Sequence, residues 1–90
     1  MAYLMVRHKV QDFDKWKPVF DRDVPRREDF GIKVRQVFRN IADPNEVIML
    51  FESDDMDKAA RYLALQELRE AMKQGGVMSQ PELVLMESAS

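Results

Sequence analysis

The chain has 90 residues and a mass of 10.6 kDa, with fourteen basic and sixteen acidic side chains and no cysteine. That size predicts one domain spanning residues 1–90, with a folded surface of about 5,500 Å² and a thin core. It excludes disulfide staples and thiolate chemistry, and a net charge of −2 lacks the basic excess of a nucleic-acid binder.

No apolar run approaches the roughly 20 residues needed to span a bilayer. The N-terminus also lacks the charged start and unbroken apolar core of a signal peptide. The expectation is a cytoplasmic protein, bound neither to membrane nor to nucleic acid.

The first element is "YLMVRHKV", residues 3–10, which alternates with the period of a strand. Leu4, Val6 and His8 share one side; Tyr3, Met5, Arg7 and Lys9 share the other. "QDFDKWKPVFDRDVPRREDFG" follows as a helix capped by Asp12 or Asp14, with Phe13, Trp16, Phe20 and Val24 on its apolar side. Pro25 disfavours helical geometry at Val24, so a break is expected there, with a short helical turn through "RREDF" that Gly31 ends.

"IKVRQVFRN" alternates again, with Ile32, Val34, Gln36 and Phe38 on one side. "ADPN" is a turn. "EVIMLFE" is apolar at every position from Val47 to Phe51, which predicts a strand buried on both faces and central in its sheet. "SDDMDKAARYLALQELREAMKQGG" reads as a second helix, capped by Ser53 or Asp54 and drifting or breaking near Leu65–Gln66. Its expected buried side is Met56, Ala60, Leu63, Leu68 and Met72, and Gly75 and Gly76 stop it. "PELVLME" is the last strand, and "SAS" a frayed tail.

The order β-α-β-β-α-β predicts a ferredoxin-like α+β sandwich. Its four-stranded antiparallel sheet would run 4-1-3-2, with two helices on one face. The other face would carry Met5 and Arg7 together with Val47, Met49 and Phe51. A bare apolar face on so small a chain points to a homodimer closed sheet to sheet.

The chain resembles the dimeric α/β-barrel superfamily, in which two ferredoxin-like subunits join their sheets. The resemblance is carried by "VRHKVQDFDKWKPVFD", "RNIADPNEVIMLFESDDMDKAARY", "ELREAMKQGGV" and "PELVLME". It is nearest to small bacterial antibiotic-biosynthesis-monooxygenase-like and cyclase-like proteins. Leu65–Gln66 and Val24–Pro25 depart from that group, where a Ser-Pro and a His or Gly are usual. The resemblance implies a cleft between helices and sheet that takes a small apolar or aromatic molecule, with cofactor-independent oxygenation or cyclisation as the chemistry. It also admits a non-catalytic stress-related or regulatory dimer.

His8 is the only histidine and suits acid–base work; the other reading is a buried imidazole bonded to a loop. With Trp16, Met72 and Val77 it is expected at one mouth of the cleft. Trp16, Phe20, Leu63 and Met72 either line the cleft as substrate-binding residues or fill it as core. Glu52 is expected to pair with Arg26, Arg27 or Lys33 at a rim, and the Arg26–Arg27 pair either anchors an anion or solvates a helix end. No ligand spacing for a metal is present, and no phosphate-binding loop or dinucleotide motif, so neither metal nor cofactor is expected.

Overall fold

The computed structural model describes residues 2–89. Four strands and four helices follow in the order β1 (Ala2–Lys9), α1 (Phe13–Arg22), α2 (Val24–Asp29), β2 (Ile32–Arg39), β3 (Glu46–Ser53), α3 (Met56–Leu63), α4 (Gln66–Gln74) and β4 (Glu82–Glu87). The sheet is antiparallel with spatial order β2-β3-β1-β4, the 4-1-3-2 order expected from the chain, and the apolar β3 lies inside it. Ser90, the last residue of the expected tail, lies outside the described residues.

The helices begin and end for local reasons. The Asp12 side chain accepts the Asp14 N–H at 2.9 Å and caps α1. The first break comes at Asp23 rather than Val24, and Pro25 sits in the opening turn of α2, where its missing N–H costs nothing. Asp55 caps α3, not Ser53 or Asp54; its carboxylate accepts from Asp57 N and Lys58 N. The Ser53 hydroxyl instead donates to Asp55 O and accepts from Asp55 N, shaping the turn ahead of that cap. The second helix divides at Ala64–Leu65, beside the expected break. Of its expected buried side, Met56, Leu63, Leu68 and Met72 are half-buried, and only Ala60 is displaced. Ala59 and Tyr62 are buried against the sheet, and Ala60 is exposed.

Strand register fixes which residues face the helices. Leu4 lies opposite Phe51, Val6 opposite Met49 and His8 opposite Val47. Directly opposed residues of antiparallel strands share a face. Val47, Met49 and Phe51 therefore join Leu4, Val6, Trp16 and Ile32 in the core under the helices. The expectation that they lie beside Met5 and Arg7 is wrong by one residue. Ile48 and Leu50 occupy the open face, opposite Arg7 and Met5. The register of β2 against β3 shifts between Val34 and Gln36, so Val37 rather than Gln36 lies opposite Met49. Phe38 and Val84, on the open face, are 49% and 43% exposed. The chain exposes 6044 Å², more than the roughly 5,500 Å² usual for its mass, as a sheet covered on one side would.

Glu52, also on the open face, is buried beneath Arg35 and pairs with it, not with Arg26, Arg27 or Lys33. The bulge in β2 brings Arg35 over that carboxylate.

Candidate functional site

The ends of β1, β3 and α4 and the start of α1 are tied together by main-chain bonds. Val10 N donates to Asn45 O and Gln11 N to Gly76 O, each at 2.8 Å, and the Asn45 side chain accepts from Phe13 N at 3.1 Å. Gly76, at φ +77°, turns the chain out of α4, and Gly75 lets α4 close onto Trp16, whose Cδ1 would lie 3.0 Å from any Cβ there. This fixed corner sets the positions of His8 and Trp16.

Between the sheet and the helices lies a cavity of about 320 Å³. Its floor is Val6, His8, Met49 and Phe51. Trp16, Val19 and Phe20 of α1 form one wall, and Tyr62 and Leu63 of α3 form the opposite one. Leu68, Arg69 and Met72 of α4 close it above. His8, Trp16, Phe20, Leu63 and Met72, the residues singled out in the sequence, thus border one space. Val77 does not; it pairs with Val10 in an isolated bridge at the sheet corner.

The aromatic side chains form a chain along the cavity. The Trp16 and Phe20 rings stack at 4.8 Å, and Phe20 meets Phe51 at 6.2 Å. The His8 imidazole stands edge-on to Trp16, 5.7 Å away and 77° from its plane. Trp16 is only 3% exposed, so it is part of the core and part of the cavity wall at once.

His8 is 5% exposed, and its Nδ1 is buried without a hydrogen-bond partner. Burial holds its pKa below the ordinary 6.5, and its own main chain opposes that only in part. At neutral pH the imidazole is therefore uncharged and able to accept a proton.

A second group of polar residues lines the same space: Asp23 and Tyr62, which no sequence motif singles out, and Arg27, read in the sequence as half of a pair that either anchors an anion or solvates a helix end. The Tyr62 hydroxyl donates to Asp23 Oδ2 at 2.8 Å in the buried interior. Arg26 pairs with Asp23 Oδ1 at 2.8 Å. Arg27 is 2% exposed, donates to Phe20 O at 2.8 Å, and lays its guanidinium 4.0 Å above the Phe20 ring. Burial, then the Asp23 carboxylate, push the Tyr62 phenol far above its usual range, with Arg27 pulling the other way. The signal was present: Phe13, Trp16, Phe20, Asp23 and Arg27 recur at spacings of three and four. Asp23 and Arg27 thus continue the inward stripe across the helix break.

Among the described residues, no three His, Cys, Asp or Glu side chains cluster as metal ligands, and no helix is long and apolar enough to cross a membrane.

No protein-family model matches the sequence, and no curated protein matches it. Solved structures do. A candidate antibiotic biosynthesis monooxygenase from Bordetella bronchiseptica superposes with a TM-score of 0.79 at 12% identity, covering 99% of this chain and 97% of that one. One from Caulobacter crescentus gives 0.76 at 15%, covering 99% and 90%. A variant of SnoaB, a cofactor-independent oxygenase from Streptomyces nogalater, gives 0.74 at 16%, covering 99% and 93%. At such identities the likeness speaks for architecture. The chain has the ferredoxin-like fold of the antibiotic biosynthesis monooxygenase-like proteins.

Proposed function

We propose that this protein is a cytoplasmic homodimer that binds a small, largely apolar or aromatic molecule between its helices and sheet and transforms it without a cofactor, by oxygenation or cyclisation. The observation that carries the reading is the cavity of about 320 Å³ bounded by Trp16, Phe20, Leu63 and Met72. Its size falls in the range of small-molecule sites, which are mostly apolar with a few placed polar groups. A purely structural dimer would instead have those four side chains filling the space.

His8 is the proton-handling group in this reading. A neutral imidazole at the cavity floor takes a proton from an acidic C–H or O–H of the bound molecule, leaving a carbanion or enolate. Such an anion bonds to molecular oxygen to form a peroxide, which regains the proton from His8 and loses water to leave a carbonyl, or it attacks a carbonyl carbon of the same molecule to close a ring, the proton returning to the new alkoxide. The likeness in fold to a cofactor-independent oxygenase supports this class of chemistry. Dimerisation draws support from the open face, where Met5, Phe38, Ile48, Leu50 and Val84 lie without a covering layer.

The test follows from the role. Once a substrate has been identified from material retained by the purified protein, His8→Ala lowers kcat by about 10²–10⁴-fold, the usual contribution of a general base. Unchanged turnover removes His8 from the mechanism.

A further inference from the structure

We propose that the molecule held in this cavity carries an oxyanion of the carboxylate class, countered by Arg27 and Arg69. The inference rests on the reading of the cavity as a ligand site and adds the ligand's charge to it. Arg27 is almost wholly buried and lines the cavity. A guanidinium offers five N–H donors. Its hydrogen-bonded acceptor is the Phe20 carbonyl oxygen. Among the described residues no carboxylate lies within ion-pairing distance of it. Asp23 stands one helical turn away, but one of its oxygens is taken by Arg26 and the other by the Tyr62 hydroxyl.

A buried cation without a counterion is costly. Arg69 adds a second guanidinium to the same lining, and it too has no ion-pair partner among the described residues. Two cations thus border a space whose single carboxylate is already engaged, in a chain whose net charge is −2. The imbalance is local to the cavity. Its apolar walls raise the strength of any charge pair formed inside, because little water remains to screen it. An aromatic or aliphatic body bearing one oxyanion matches both halves of the lining, with its body against Trp16, Phe20 and Leu63 and its charge toward the arginines.

The experiment compares 1-naphthoate with its neutral counterpart 1-naphthalenemethanol, by calorimetric titration of the full chain at neutral pH. The expected result is binding of both, with the acid tighter by about tenfold or more, as charge-assisted bonds to guanidinium require. That preference should shrink to about twofold in Arg69→Gln and in Arg27→Met, and return in part in Arg27→Lys. Arg69 is exposed, so its variant keeps the test alive should Arg27→Met fail to fold. Equal affinity for the two probes overturns the charge assignment and leaves the ligand site standing. A preference that survives in both variants overturns the role of these arginines. Binding of neither probe to the native chain overturns the ligand-site reading and this inference with it.

Discussion

Tyr62→Phe removes one oxygen atom from the interior and little else. The ring keeps its place against Phe30, whose centroid lies 5.8 Å away. What is lost is the 2.8 Å hydrogen bond to Asp23 Oδ2, made where both residues are buried. A hydrogen bond to a charged group contributes about 1.5–3 kcal/mol, and its loss leaves a carboxylate oxygen without that donor. Arg26 still holds the other oxygen, and water can enter from the adjoining cavity, so the lower part of that range applies, about 2 kcal/mol. In a domain of this size each kcal/mol moves the midpoint by roughly 4–8 °C, so Tm falls by about 8–16 °C. Thermal unfolding followed by circular dichroism measures it. Asp23→Asn and the double variant complete a cycle in which the second substitution costs much less than it does alone. A Tyr62→Phe midpoint within about 1 °C of the native one would refute the claim that this bond helps hold the helix break to the core.

Gly31 stands at φ +70°, and a Cβ there would collide with the Asp54 carboxylate, so Gly31→Ala should cost more than about 1 kcal/mol in urea unfolding. Since burial lowers the pKa of His8 below 6.5, the unfolded chain binds that proton first as the pH falls. Stability from this group is therefore intact above 6.5 and declines below it, until the folded-state pKa is passed. The decline has a slope of at most about 1.4 kcal/mol per pH unit, and unfolding curves of the native chain minus those of His8→Leu should isolate it. Phe38→Glu places a charge on the open sheet face without touching the core; sedimentation should show dimer dissociation shifted at least about tenfold toward monomer.

Much of the architecture could be read from periodicity, because strands and helices impose different spacings on the same apolar residues. Leu4, Val6 and His8 alternate on β1, and Phe13, Trp16 and Phe20 recur on α1, so the element order and the sheet topology follow. The face of β3 could not be read that way. Val47 to Phe51 are apolar throughout, and only the pairing of Leu4 with Phe51 decides which set turns inward. The shift at β2 is equally silent, since no residue between Val34 and Gln36 marks a bulge in the way a glycine would. On α3, neighbouring Ala59 and Ala60 give no phase, and the hydroxyl of Tyr62 makes it a weaker core signal than the aliphatic Leu63 beside it. Arg27 reads as half of an arginine pair that either anchors an anion or solvates a helix end, and Asp23 is not singled out. Their burial arises from the turn at Asp23, which swings α2 so that Arg27 covers Phe20.

The central claim is that two copies of this chain join through their open sheet faces and that each holds a small molecule under its helices. Native mass spectrometry of the protein as purified tests both parts together. The account predicts a dimer of twice the 10.6 kDa chain mass carrying the added mass of a small acid, or gaining that of 1-naphthoate when it is supplied. A monomer whose mass stays that of the bare chain in the presence of the probe would contradict it.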